Sequence, residues 1–246
     1  MPPEKIHIGT SGWNFGHWVG AFYPADIAGK DMLPAYAETF HTVELNNSFY
    51  GLPDQKSVKT WISKTPEKFV FSCKASRYLT HMKKLKDPQD GINRLFAALK
   101  PFGPKLGPIL FQLPPNWHVN TQRLEAFLAA LPDNYSYTFE FRDQSWLCDK
   151  VYEILQVHAA ALCFYDYQGF RSPEIPTADF IYVRLHGPGK KAYEGSYDGR
   201  TLAGYAQKFL NWAKEGKDIY CYFDNDQNAY APFDAQNLMK SIERQP

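Results

Sequence analysis

The chain has 246 residues, 44% hydrophobic and 22% charged, which is the balance of a folded globular protein and not of a disordered one. A formal net charge of +1 supplies no global basic field to draw it to nucleic acid or anionic lipid, though a local basic patch remains open. No apolar run is long enough to span a bilayer, and the opening MPPEKIHIGT lacks the apolar stretch of a secretory signal.

Eight short apolar or alternating runs read as strands, and helical signals fill most of the intervals. The first strand, 6–9, runs into GTSGW, and the second covers 41–46. Asp54 then caps a helix to about Lys64, before a third strand at 69–73. Asp87 and Pro88 form a cap followed by proline in the first turn, opening a helix towards Lys100. A fourth strand, 108–113, precedes a helix from Thr121 in which Leu124, Phe127, Leu128 and Leu131 recur at helical spacing. The fifth strand, 137–142, leads to a helix over 147–158 and a sixth strand over 161–165. The next stretch, YQGFRSPEIPTAD (167–179), has two prolines and no apolar periodicity, so no normal helix is expected there. A seventh strand at 180–186, a helix at 201–215 ended by Gly216, an eighth strand at 219–223 and a helix at 234–243 complete the chain.

Such alternation implies a parallel α/β sheet. Eight strands in a chain of this length predict one (β/α)8 TIM-type barrel as a single domain over 1–246, irregular where the helix after the sixth strand is missing. The competing open doubly wound sheet usually carries GxGxxG after its first strand, and GTSGW lacks that spacing. The four cysteines, Cys73, Cys148, Cys163 and Cys221, form no CxxC pair, and three lie in apolar strand-like runs. They read as reduced thiols in a cytoplasmic protein without structural disulfides.

The strand tips carry the functional signal. Glu44 and Asn46 share one face of the second strand, Glu140 and Arg142 one face of the fifth, and Arg184 and His186 one face of the seventh. Lys74, Gln112 and Asp166 stand at the ends of the third, fourth and sixth, and the eighth runs into Asp224, Asn225 and Asp226. In a barrel these polar sets face inward near the C-terminal strand ends, where barrel enzymes keep their active sites. Burying charge costs several kcal/mol per ion unless it is paired or used. For any one strand the alternative is a neutralised polar plug, with Glu140–Arg142 and Glu44–Arg184 pairing merely to close the barrel top. Three strands with the same signature, joined by Lys74 and Asp166, favour a pocket.

These residues also carry a resemblance. GTSGW (9–13), VELNNSFYG (43–51), Lys74-Ala75, QLP (112–114), EFRDQSW (140–146), VRLHG (183–187) and YFDND (222–226) occur in this order over nearly the whole chain. The set resembles the YecE-like family, a domain of unknown function, and the resemblance implies an irregular TIM barrel without supplying a reaction. Asp224 is a departure, because the corresponding family motif is similar to F-N-N-D.

The chemistry open to this set is acid–base work on a small molecule. Glu44, Glu140, Asp166 and His186 are the candidate catalytic groups, since paired carboxylates are the minimum apparatus of glycoside hydrolysis. Asn46, Lys74, Gln112, Arg142, Arg184, Tyr193 and Asn225 are candidate binders of an anionic or polyhydroxyl substrate bearing phosphate or carboxylate. In HGPGKKAYEGSY (186–197), Gly187 and Gly189 would let backbone amides approach such a ligand, with Lys190 and Lys191 adding charge. A flexible, solvated loop is the competing reading there. No cofactor is called for, and a catalytic metal is disfavoured because Lys74, Arg142 and Arg184 would repel it. The leading expectation is therefore an enzyme, a hydrolase or an isomerase. Two alternatives stand beside it. One is a nucleic-acid binder or processing enzyme using Arg77, His81, Lys83, Lys84 and Lys190. The other is a non-catalytic small-ligand sensor. No membrane partner is expected.

Overall fold

The computed structural model describes residues 3–245. Nine strands and seven α-helices follow in chain order: β1 (Ile6–Thr10), α1 (Met32–Thr39), β2 (Thr42–Leu45), α2 (Gln55–Ser63), β3 (Val70–Lys74), α3 (Gln89–Leu99), β4 (Leu106–Leu113), α4 (Thr121–Ala129), β5 (Tyr137–Phe141), α5 (Asp149–Val157), β6 (Ala161–Tyr167), β7 (Phe170–Arg171), β8 (Phe180–Leu185), α6 (Gly199–Lys214), β9 (Asp218–Phe223) and α7 (Tyr230–Glu243). The hydrogen-bonded order is β1-β9-β8-β6-β5-β4-β3-β2, with β7 off the path. The registered neighbours are parallel except for β6 and β7, which form an antiparallel hairpin. A parallel bridge between Ser11 and Glu44 links the end of β1 to β2. This is the α/β strand order of the TIM-barrel class. The β6–β7 hairpin and an irregular segment replace the helix between β6 and β8, as the two prolines of 167–179 predict.

Packing divides the chain into two compact units. The first contains residues up to Glu44, Phe164–Ser172 and those from Asp179 onward; the second contains Leu45–Cys163 and Pro173–Ala178. In the first unit, β1, β9 and β8 are in register, with α6 and α7 packed on each other and α7 against β1 and β9. Tyr36 of α1 ties β1 to β2: its hydroxyl accepts from the Thr10 N–H at 2.9 Å and donates to the Thr42 carbonyl at 3.0 Å. In the second unit, β3, β4, β5 and the start of β6 are parallel over a core that includes Phe71, Phe111, Phe127 and Phe139, all fully buried.

Local chemistry sets the helix boundaries. Asp54, Asn120 and Asp198 cap α2, α4 and α6 by accepting the N–H of Ser57, Arg123 and Thr201. After α6, Gly216 takes φ +92°, its N–H reaches the Ala213 carbonyl and the Lys217 N–H reaches that of Trp212, closing a Schellman motif. One helical expectation needs correction, and one helix went unread. Asp87 does not cap α3: it adopts φ +42°, Pro88 occupies the cap position, and no side chain caps the helix there. Helix α1 was not legible, because its eight residues, MLPAYAET, include Pro34 and give too short a pattern to read. Cys73, Cys163 and Cys221 are buried, and Cys148 is half-buried. Among the described residues, no helix is long and apolar enough to cross a membrane.

Gly9 shows how tightly β1 lies against β2, since a Cβ there would stand 2.2 Å from the Thr42 carbonyl oxygen. Gly9→Ala is expected to cost about 1–3 kcal/mol by forcing the two backbones apart. Gly199→Ala, in open space in the first turn of α6, is expected to gain up to about 1 kcal/mol. Urea denaturation of the two variants against the parent protein checks both signs.

Candidate functional site

In the first unit the polar strand ends form one network. Glu44, on β2, is fully buried and accepts from four side-chain donor atoms. Ser11 Oγ donates to Oε1 at 2.7 Å, Tyr182 Oη to Oε2 at 2.7 Å, and Arg184 through Nη2 to Oε1 at 2.8 Å and Nε to Oε2 at 3.0 Å. The guanidinium then continues to the residues just after β9 and β8. Its Nη2 lies 3.2 Å from Asp224 Oδ2, and its Nη1 lies 3.3 Å from His186 Nε2. His186 Nδ1 is 3.0 Å from the same Asp224 oxygen. Every donor meets an acceptor if the imidazole carries its proton on Nδ1, so that Nε2 accepts from arginine and Nδ1 donates to aspartate. Arg184 and His186 are 1% exposed, whereas the Asp224 side chain keeps 18% of its surface. Asp224 is therefore the network's opening to water.

Asp166, near the end of β6, receives the His186 N–H at 3.0 Å and the Tyr197 hydroxyl at 2.6 Å, both on Oδ1. Its Oδ2 is buried without a hydrogen-bond partner. Burial raises the pKa of this carboxyl above the ordinary value, against the opposing hydrogen bond from Tyr197 and the field of His186. Asn225 is held by its amide nitrogen, at 2.8 Å from the Gly195 carbonyl and 2.7 Å from Asp234, and its Oδ1 is also buried and unpartnered. Two residues on, Asp226 accepts from Trp18 Nε1 at 2.6 Å and lies 3.0 Å from His17 Nε2. Burial pushes its carboxyl pKa up to about 6, with the charge of Asp224 adding to the rise and Trp18 and His17 opposing it.

The loop after β8 differs from a flexible anion cradle. The Gly187 N–H is spent on the Tyr197 hydroxyl at 2.8 Å, and a Cβ at Gly187 would lie 2.3 Å from the Glu194 carbonyl. The glycine, at φ +110°, lets the loop fold back closely on itself. Tyr193 is 44% exposed and meets the rings of His186 and Tyr167 edge-on. Lys190 and Lys191 are exposed.

The second unit repeats the device at the end of one strand. Arg142 Nε donates to Glu140 Oε1 in a short contact, and Cys163 Sγ lies 3.9 Å from Oε2. Glu140 is fully buried and the Arg142 side chain is 8% exposed. Gln112 is the register partner of Glu140 on β4, and Asn46 has a buried unpartnered Oδ1. Lys74 Nζ sits 4.4 Å over the Phe49 ring. Both pairs available to a plug, Glu44–Arg184 and Glu140–Arg142, therefore form. The structure brings Glu44, Asp166, Arg184 and His186 into one network; Glu140, Arg142, Gln112, Lys74 and Asn46 belong to the other unit.

Sequence reasoning missed Tyr182, although it shares the 182/184/186 face of β8 with two residues that were read. It also missed Asp234 of α7, which accepts from Ser196, the Tyr197 N–H and Asn225, and which no motif marks. Among the described residues, no group of three or more His, Cys, Asp or Glu is placed to hold a metal ion.

The strand order and the charged residues at its C-terminal ends define a TIM-barrel-class α/β protein with an ionic strand-end network. Residues 7–246 match the family model described as protein of unknown function DUF72, and the chain belongs to that family. It is 27% identical over 271 aligned residues to the UPF0759 protein YunF of Bacillus subtilis (strain 168), covering 97% of this chain and 95% of that one. It is 29% identical to the UPF0759 protein YecE of Escherichia coli (strain K12) over 140 residues, 56% of this chain and 48% of that one. A DUF72 family protein from Thermotoga maritima MSB8 superposes with a TM-score of 0.88 at 26% identity, covering 98% of this chain and all of that one. A DUF72 family protein from Enterococcus faecalis V583 shares the fold at 17% identity, with a TM-score of 0.83 over 98% of this chain and 96% of that one.

Removing one partner of the buried pair leaves an uncompensated charge. Arg184→Met is expected to cost about 3–5 kcal/mol in urea unfolding, and adding Glu44→Gln to it to recover part of that loss. Asp226 predicts a pH dependence of known sign. Its folded pKa of about 6 lies above the ordinary aspartate value, so the native state holds the extra proton. Its contribution to stability is present below the unfolded pKa and is lost as pH rises through the folded one. Stability of the parent relative to Asp226→Asn should therefore fall between about pH 4 and pH 6 and level off above; a difference that is flat over this window contradicts the assignment.

Proposed function

We propose that the protein is an enzyme acting on a small anionic or polyhydroxyl substrate at the C-terminal ends of β2, β6, β8 and β9, by acid–base chemistry of the hydrolase or isomerase kind. The observation that carries the reading is the incomplete satisfaction of an otherwise closed ionic network. Glu44, Arg184 and His186 have their hydrogen-bonding groups engaged, Asp224 is presented to water, and the buried Asp166 Oδ2 and Asn225 Oδ1 lack partners. An orphaned buried polar oxygen costs about 1–3 kcal/mol, which a ligand donor would return.

Within this reading the roles divide by accessibility. Glu44 and His186 orient Arg184 and Asp224 and do not themselves reach substrate, since neither is more than 1% exposed. Asp224, held by a guanidinium and an imidazole, is the base, and Asp226, which keeps its proton to about pH 6, is the acid. A carboxylate held by cationic and imidazole donors near a carboxyl that keeps its proton is an arrangement acid–base catalysis can use. Tyr193, exposed and set against His186, is a substrate-facing ring. Glu140 and Arg142 are a second candidate charged pair on the other unit.

A panel of sugar phosphates, polyols and short glycosides, screened by thermal shift and then for turnover, tests the reading. At least one class should raise the melting temperature. Asp224→Asn should retain that shift while losing about a hundredfold or more in turnover, the usual scale for removing a positioned acid–base group. A ligand that stabilises without turnover would make the protein a sensor. A panel with no stabilising member, or turnover indifferent to Asp224→Asn, would sink the proposal.

A further inference from the structure

The second unit carries a compact cationic surface that the strand-end network does not use. Residues 74–86, KASRYLTHMKKLK, contain five Lys or Arg and no carboxylate, although the whole chain is nearly neutral. The segment is ordered by its own backbone. A π-type turn covers Tyr78–Met82, the Lys83 N–H reaches the Tyr78 carbonyl, and the Leu85 N–H reaches that of Leu79, both at 2.9 Å. Lys84 and Leu85 hold φ of +47° and +62°, costly for residues other than glycine, and Leu85 is anchored at 2% exposure. The cations are thus set on a fixed scaffold.

Aromatic rings are interleaved with them. Phe49 is the hub: Lys74 Nζ lies 4.4 Å over its ring, His81 meets it edge-on at 4.9 Å, and Tyr50 meets it edge-on at 5.0 Å. Tyr50 is 77% exposed, and Met82, beside His81 in the chain, is 66% exposed. Arg77 is exposed as well. Desolvation, with the fields of Lys74 and Arg77, pushes the His81 pKa down to about 4, so its imidazole is neutral at pH 7 amid positive charge. Exposed flat rings bordered by cations, with no competing carboxylate in the segment, match a ligand that is itself part flat ring and part anion.

We infer that the surface formed by Phe49, Tyr50, Lys74, Arg77 and His81 binds a nucleoside phosphate, the base lying on Tyr50 and the phosphate meeting Arg77 and Lys74. The chemistry is shared by a free nucleotide and by a nucleotide within a single strand. A free nucleotide makes one phosphate contact, and a strand adds contacts along Lys83 and Lys84.

The experiment uses the full chain with four probes at low salt: AMP, adenosine, inorganic phosphate and a short oligodeoxyadenylate. AMP or the oligonucleotide should bind, with adenosine and phosphate each at least about tenfold weaker than the better of the two. Tyr50→Ala and Arg77→Ala should each weaken binding by about tenfold, and Arg77→Ala should also flatten the salt dependence by about one phosphate contact. Lys59→Ala, an exposed lysine of α2 outside the segment, should change neither. Oligonucleotide affinity more than tenfold above that of AMP, with a steep salt slope, assigns the ligand to a strand; equal affinities assign it to the free nucleotide. Absence of binding to all four probes overturns the inference, as does phosphate binding as tightly as AMP or indifference to both Tyr50→Ala and Arg77→Ala. The strand-end proposal stands apart from these outcomes, because Asp224 plays no part in this surface.

Discussion

The buried ion pair between Glu44 and Arg184 is the constraint on which the first unit depends. Desolvating two charges costs several kcal/mol per ion, and mutual attraction repays this only when the remaining lone pairs and protons are also satisfied. Tyr182 and Ser11 complete the carboxylate, while Asp224 and His186 take up the rest of the guanidinium. The pair thereby fixes residues from four strand ends: Ser11 after β1, Glu44 on β2, Tyr182 and Arg184 on β8, and Asp224 after β9. Tyr36 and Thr42 act on the same strands from below. The Tyr36 hydroxyl joins β1 to β2, and Thr42 Oγ1 lies 2.7 Å from the Tyr222 hydroxyl of β9.

The second unit solves the same problem differently. Glu140 lies on β5 and Arg142 just past its end, two residues on, so the pair forms within one stretch of chain. Such a pair needs no second strand to form. The pair of the first unit joins β2 to β8, and it leaves Asp224 oriented by two donors at an accessible edge. The two devices thus differ in consequence: one neutralises a strand end, and the other holds a carboxylate in place.

What was legible in the sequence follows from how local the determinants are. Alternating and apolar runs gave eight of the nine described strands to within a residue or two, because strand geometry depends on neighbours; the two-residue β7 was too short to read. The cap at Asp54 and the stop at Gly216 were visible for the same reason. Asp87 looked like a cap by composition, yet the left-handed backbone of Lys84, Leu85 and Asp87 moves the cap to Pro88, and nothing local announces that path. The strand-end charges were legible as a set, and Glu44–Arg184 as an available pair. Tyr182 required knowing that a residue 138 positions away ends in a carboxylate within reach of its hydroxyl. Asp234 lies on a helix, where one aspartate among polar neighbours carries no signal, and only the return of 195–197 and Asn225 onto α7 gives it a role.

The choice between a plug and a working site turns on completeness. A structural plug is under selection to satisfy every buried polar atom, and most of this network does so: Glu44 meets Ser11, Tyr182 and Arg184, and both imidazole nitrogens of His186 are engaged. The exceptions are Asp166 Oδ2 on β6, whose other oxygen accepts the His186 N–H, and Oδ1 of Asn225, the residue after Asp224. Asp166 is fixed through Oδ1 alone, by Tyr197 and the His186 backbone, which leaves its other oxygen with acceptor capacity in a desolvated position. On the proposed reading, a fold that spends so many donors on one carboxylate and withholds them from another holds that second position for a ligand donor.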